Sequence, residues 1–325
     1  MNIQGRIRSQ AALGITLAVC VGTPAWAQSN VTVSGYLDIG VFRSTTDQWI
    51  VGTIKRSNLA FSGAEDLGGG LSATFKLSTR FDLNTGQSEV VATKPFFHAE
   101  STVGLKGGFG TLRMGRALDA MYGSDWAFDA WNYFDRLTSP GWDLWHWNFP
   151  SDPHANSGKP DYGRLNNGIF YDSPTFNGFT FHLSGSPEKV AGDTNTPLGG
   201  SIAYAGELFQ ALYANERNSV GNTDSEYALK GTFAGLTLMG VYDVSKAGAS
   251  TAKTTTLGAR YSIGATTLLA GWGKANVDGI RKEQVTSVGV SYALSKRTAF
   301  YADFAHKQYV ANSANTYGVG MSHGF

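Results

Sequence analysis

The chain has 325 residues with 26 basic and 25 acidic side chains, and only 16% of it is charged. No basic excess supports a nucleic-acid partner, and one cysteine, Cys20, rules out a disulfide framework. Glycine is abundant (41) and proline scarce (9), as in chains of many strands joined by tight turns.

Arg6 and Arg8 precede an apolar run from Ala11 to Val21, and Ala25-Trp26-Ala27 has the form of a leader cleavage site. A signal peptide over residues 1–27 is expected, followed by one domain over 28–325. Without Arg6 and Arg8, 24 basic groups stand against 25 acids, a net charge near −1. The apolar run is too short for an uncleaved anchor, and Val19 before Cys20 lacks the small side chain of a lipoprotein signal. No later stretch is long and apolar enough for a transmembrane helix.

Alternating segments then follow one another. In Val31 to Val41, Val31, Val33, Leu37 and Ile39 share one strand face, and Thr32, Ser34, Tyr36 and Asp38 the other. Asn58 to Ala64 and Leu71 to Phe81 flank the turn EDLGGG; Leu71, Ala73, Phe75, Leu77 and Phe81 face out, and Ser72, Thr74, Lys76, Ser78 and Arg80 face in. Phe97 to Lys106 and Thr111 to Arg116 form the next pair. Eleven further segments begin near Asn166, Phe179, Ser201, Phe209, Glu226, Leu236, Thr255, Thr266, Val285, Thr298 and Tyr317. Short connections (EDLGGG, KGGFG, SPTFNG, TFAG) read as periplasmic turns, and longer ones (43–55, 187–200) as outside loops.

The last segment, YGVGMSHGF, alternates Tyr317, Val319, Met321, His323 and Phe325 against small residues. A soluble domain seldom ends on a strand with a bare aromatic, whereas a closed sheet pairs its last strand with its first. The terminal Phe325 is then the assembly signal. Sixteen segments predict an all-β fold, a sixteen-stranded antiparallel transmembrane β-barrel, the sheet form that satisfies every backbone group in lipid. A soluble sandwich or solenoid would also alternate, but explains neither Phe325 nor the two connection lengths.

VTVSGYLDIGV, NLAFSGAEDLGGGLSATF (58–75), STVGLKGGFGTLRMGR (101–116), NNGIFYDSPTFNGF (166–179), SYALSKRTAFYADF (291–304) and YGVGMSHGF occur in order from end to end. Together they resemble the Gram-negative outer-membrane general-diffusion porins of betaproteobacterial type. The resemblance implies a homotrimer of barrels, a third extracellular loop folded inward to narrow each pore, and passive diffusion of ions and small hydrophilic solutes. It also implies contact with outer-membrane lipid and lipopolysaccharide, and delivery by the barrel-assembly machinery.

That loop would run from about Ala117 to Gly163 and holds Trp126, Trp131, Trp142, Trp145 and Trp147, five of the eight tryptophans. Asp119, Asp125, Asp129, Asp135, Asp143, Asp152 and Asp161 stand there against Arg136 and Lys159. Lys76, Arg80, Lys106 and Arg113 lie on inward strand faces, Lys55 and Arg56 near a strand mouth, and Arg116 and Arg164 at the two ends of the loop. Acids on the loop (Asp119, Asp125, Asp129, Asp135, Asp143) facing the bases Lys76, Arg80, Lys106, Arg113, Arg116 and Arg164 would set a transverse field across the pore. For any one of these charges, a solvated or capping role is as economical. The tryptophans suit packing of the loop on the wall better than contact with solute, although their density points to a channel preferring a sugar or aromatic acid.

The six histidines show no metal-ligand spacing, and His146, between Trp145 and Trp147, reads as a solvated loop residue that could instead tune the pore with pH. No nucleophile elbow or phosphate loop is present, so neither catalysis, a cofactor nor a metal is expected. A barrel enzyme would need a nucleophile–histidine–acid set on the outer rim, and none is spelled out.

Overall fold

The structure, a computed structural model, describes residues 30–89, 94–155 and 160–325. The leader expected over 1–27 lies outside the described residues.

One antiparallel sheet contains every strand among the described residues. In chain order these are β1 (Asn30–Arg43), β2 (Trp49–Gly52), β3 (Ser57–Gly68), β4 (Leu71–Asp82), β5 (Gln87–Ser88), β6 (Glu100–Gly107), β7 (Gly110–Leu118), β8 (Arg164–Asp172) and β9 (Phe179–Gly185). They continue as β10 (Leu198–Ala205), β11 (Phe209–Arg217), β12 (Thr223–Phe233), β13 (Leu236–Ala247), β14 (Ser250–Ile263), β15 (Thr266–Val277), β16 (Ile280–Ala293), β17 (Thr298–Tyr309) and β18 (Ser313–Gly324).

The eighteen pieces make sixteen staves. β2 pairs with the far half of β1 and β3 with its near half, so β2 and β3 are one stave interrupted at 53–56. β5 and β6 divide β4 in the same way. β1 then pairs with β18 from Tyr36↔Gly324 to Arg43↔Tyr317, which closes the barrel and leaves no free edge. The sixteen alternating segments in the sequence correspond to these staves.

Alternation sorts the two faces. Phe75, Val103, Leu229, Leu238, Leu257, Phe304 and Val319 stand exposed on the outer surface, the apolar belt of a lipid-facing wall. Phe179, Tyr204 and Phe209 pack in series with tilted rings near the short turns, at centroid separations of 4.9 and 5.1 Å. The glycine-rich turn at 68–70 has positive φ throughout. Beyond β12 the opposite end is also tightly turned, at 247–250 and 277–280, so connection length separates the two ends only in the first half of the chain.

One connection dominates the interior. Residues 119–163, where described, hold a 3₁₀ turn (Asp125–Phe128) and a short helix α1 (Pro140–Leu144), capped by Ser139 accepting from the Trp142 amide. Phe128 and Trp145 pack on Leu212, Ala228 and Val241 of β11–β13, and Leu144 on Ala275, Val285 and Ala305 of β15–β17. The inner wall is carved to receive them. A Cβ on Gly271 would stand 2.8 Å from the Trp131 ring, and one on Gly273 would stand 2.6 Å from Leu144 Cδ1. Wall hydroxyls then hold the loop backbone: Ser245 donates to Trp147 O, Thr254 to Leu144 O, Ser287 to Thr138 O and Thr316 to Leu137 O.

Candidate functional site

Between this loop and the β3–β8 side of the wall lies a cavity of about 810 Å³. Five cationic side chains line it, Arg56, Arg80, Lys94, Arg136 and Arg164, against two carboxylates, Glu89 and Asp143. Aromatic rings of the loop form the other side: Tyr122, Trp126, Tyr133, Phe134, Trp142, Trp145 and Trp147.

The cations are not equally compensated. Arg56 grips Glu89 through two bonds of 2.7 and 2.8 Å, and Arg136 donates to the same carboxylate. Burial raises the Glu89 pKa, but His98 and Arg56 more than reverse this, and the group sits well below the usual carboxylate range. Lys94 pairs with Asp161 at 3.1 Å. Arg80 and Arg164 form no ion pair among the described residues: Arg164 Nε donates to Ala99 O at 2.8 Å, and Arg80 Nη1 is buried without a partner. The cavity therefore carries a positive excess.

The six expected wall bases are dispersed. Arg80 and Arg164 reach the cavity. Arg116 is buried behind it, bonded to His98 O, Asn166 and Asp161. It points inward because β7 bulges between Gly115 and Ala117, and such a bulge re-aims the next side chain. Lys76 and Arg113 share Glu100 at 2.8 and 2.7 Å, and Arg113 also meets Asp172, away from the main cavity. Lys106 is exposed beside the Gly107–Gly110 turn.

The loop acids differ most from expectation, since four of the five serve the loop's own fold. Asp119 accepts from the Met121 and Tyr122 amides, and Asp135 from those of Leu137 and Thr138. Asp129 accepts from the amides of Trp131, Tyr133 and Gly141. Asp125 bonds His146 at 2.8 Å. Asp143 alone among the five lines the cavity, paired with Lys307 at 2.6 Å. Acids facing arginines across the gap is thus not the arrangement seen; aromatic rings face them.

Among the tryptophans, Trp131 is wall packing, its Nε1 donating to Asp303 at 2.8 Å. Trp126, Trp142, Trp145 and Trp147 present surface to the cavity. Tyr133 stacks on Trp145 at 5.5 Å and 16°, and the Arg56 guanidinium lies 5.0 Å from the Trp142 ring.

His146 is the plainest correction: it is 2% exposed, with Asp224 at Nδ1 (2.9 Å) and Asp125 at Nε2. Burial lowers its pKa, but the hydrogen bonds to Asp125 and Asp224 outweigh this and hold it well above the ordinary value. Glu216, Asp224, Glu226 and Asp243, buried on the inner wall beneath the loop, were missed. Their signal was Asp224 and Glu226 two residues apart on an inward face.

A family profile described as Gram-negative porin matches residues 14–312. Outer membrane porin protein 32 of Delftia acidovorans is 30% identical over 324 residues, 90% of this chain and 88% of the relative. Major outer membrane protein P.IB of Neisseria gonorrhoeae is 26% identical over 231 residues, 67% of this chain and 60% of the relative. Among solved structures, the anion-selective porin from Comamonas acidovorans superposes with a TM-score of 0.77 at 23% identity, covering 92% of this chain and all of that one. The closed sixteen-stave barrel, its apolar belt and these relatives lead to one conclusion: the chain belongs to the Gram-negative porins of the outer membrane.

Proposed function

We propose that this porin, a channel for passive diffusion of ions and small hydrophilic solutes, prefers anions, and that Arg80 and Arg164 set the preference. The observation that carries this reading is two cavity-lining guanidiniums without a carboxylate partner among the described residues. Fixed charge in a narrow passage with low-dielectric walls concentrates counter-ions, and arginine cannot lose that charge near neutral pH. The solved porin from Comamonas acidovorans is anion-selective, which supports the assignment. The test is the reversal potential under a salt gradient in a planar bilayer. Anion preference that weakens in Arg80→Gln and Arg164→Gln is expected; an unchanged potential in both removes them from the selectivity step.

The Trp142–Arg56 and Tyr133–Trp145 contacts favour a second reading, in which planar aromatic carboxylates are preferred guests. Rings would lie on the loop and carboxylates on the arginines. Saturable block by benzoate, absent with cyclohexanecarboxylate and with glucose, is the expected result. Equal block by both acids would leave charge alone in control and the tryptophans as packing.

We further propose that three copies assemble in lipopolysaccharide-containing outer membrane, with Phe325 read by the assembly machinery. Support comes from a solved trimer form of OmpT from Vibrio cholerae, TM-score 0.68 at 11% identity. Conductance opening in three equal steps is expected.

A further inference from the structure

Beneath the loop, Asp125 and His146 meet Asp224, Glu226 and Asp243 of the inner wall, all buried. Four carboxylates surround one imidazole, and among the described residues neither lysine nor arginine pairs with any of them. Both oxygens of Glu226, both of Asp243 and Oδ1 of Asp125 have no hydrogen-bond partner. Burying several unpaired carboxylates is costly unless a cation or protons neutralise them.

The imidazole divides the group into two sides. His146 Nδ1 is 2.9 Å from Asp224 Oδ2, with Asp243 Oδ2 at 3.6 Å behind. His146 Nε2 faces Asp125 Oδ2 at 2.8 Å and Glu226 Oε2 at 3.9 Å, and these three donor atoms lie within 4.8 Å of one another. Donors bound to one ion at about 2.0–2.2 Å stand roughly 3–4 Å apart, so this spacing suits a shared ion. A carboxylate accepting from the far ring nitrogen is what orients a metal-binding histidine.

We infer that His146 Nε2, Asp125 and Glu226 form a site for a divalent metal ion of the zinc class, oriented by Asp224. One nitrogen and carboxylate oxygens match borderline ions such as zinc better than calcium or magnesium, which take oxygen-only shells. Because Asp125 and His146 belong to the loop and Glu226 to β12, the ion would pin the loop to the wall. Its donors include none of the arginines assigned to the anion preference, although His146 also borders their cavity.

The test uses the detergent-solubilised full barrel, stripped with chelator and titrated with zinc while metal content and thermal midpoint are followed. One zinc per chain, a raised midpoint and no such rise with magnesium are expected. Glu226→Gln should abolish binding, and Asp224→Asn should weaken it about 10- to 100-fold. Asp243→Asn, outside the donor set, should still bind. Absence of stoichiometric zinc on the wild-type barrel overturns the inference and leaves shared protons to neutralise the cluster. Wild-type affinity in Glu226→Gln overturns it as well. Should that variant fail to fold, the wild-type zinc-against-magnesium comparison decides.

Discussion

Asp143 is the cavity carboxylate whose charge changes most readily. Burial pushes its pKa above the usual value, and Lys307 offsets only part of that. A raised carboxyl pKa means the group is ionised at high pH and becomes neutral as pH falls, starting above its ordinary value of about 4. Glu89, held low by His98 and Arg56 despite burial, stays ionised throughout that window. Acidification therefore removes one negative charge from a cavity that is already net positive. Anion preference, read as reversal potential, is expected to rise as pH is lowered, the change beginning above the ordinary carboxylate range. Asp143→Asn should show the acidic value at every pH tested. A pH-independent wild-type potential would show that Asp143 does not contribute to the field in the passage. Gly115 makes a second point at this scale. Its φ is +130°, and an added Cβ would stand 2.1 Å from Ser101 O, so Gly115→Val must straighten the bulge or break the β6–β7 pairing. Arg116 would then lose Asp161 and the His98 carbonyl. A thermal midpoint lowered by several degrees is expected, and one equal to wild type would show the bulge to be dispensable.

At the scale of the element, the loop is held by its aspartates. Asp129 alone satisfies three backbone amides, and Arg260 binds the carbonyls of Asp129 and Ala130 from the wall. Each amide left buried without an acceptor costs on the order of 1–3 kcal/mol. Asp129→Ala should leave the barrel folded, since among the described residues this residue takes part in no strand-to-strand backbone pairing and keeps the carbonyl that Arg260 binds, but should loosen the loop. Single-channel records with frequent substates are the expected sign; records as quiet as wild type would place the loop's rigidity in its wall contacts. This division also explains what the sequence could reveal. The staves were legible because period-two alternation is local and recurs in every strand, and the loop's limits because β7 and β8 bracket it. The facing of its acids was not legible. An aspartate that bonds the amides of the next few residues reads, in sequence, like one that faces water; Asp119, Asp129 and Asp135 differ only in where the following backbone turns. Arg80 and Arg164 were identifiable as inward or loop-edge bases, whereas Lys76 and Arg113 gave no sign that Glu100 and Asp172 would neutralise them from neighbouring strands. The grouping of Asp125 and His146 with Glu226 joins residues 101 and 80 positions apart, beyond any spacing rule.

At the scale of the whole molecule, closure is the step on which everything else depends, because the cavity exists only once β1 meets β18. The seam ends in a reciprocal pair: Gly35 N donates to Phe325 O, and Phe325 N to Gly35 O, each at 3.1 Å. The Phe325 ring lies over Gly35, where an added Cβ would stand 2.5 Å from its Cζ and 2.7 Å from Asn58 O. Phe325 thus has a seat in the finished barrel as well as the proposed role in delivery, and deleting it would disturb both. Gly35→Val separates them, since it leaves the terminal aromatic intact while filling its seat. If the seat matters for closure, Gly35→Val refolded in detergent from denatured chain, with no assembly machinery present, should give a markedly smaller heat-modifiable folded fraction on a gel. Phe325→Leu, which keeps the backbone pair and relieves the ring, should refold nearly as well as wild type in detergent yet accumulate poorly in cells. If Gly35→Val refolds as wild type does, the ring is incidental to closure and the terminal phenylalanine acts only as an address. The seam is the strand pairing that joins the two ends of the described chain, so it brings the longest loop closure, and that entropy is recovered only when the last strand locks. A side chain wedged there should therefore slow folding more than it lowers the stability of barrels already closed.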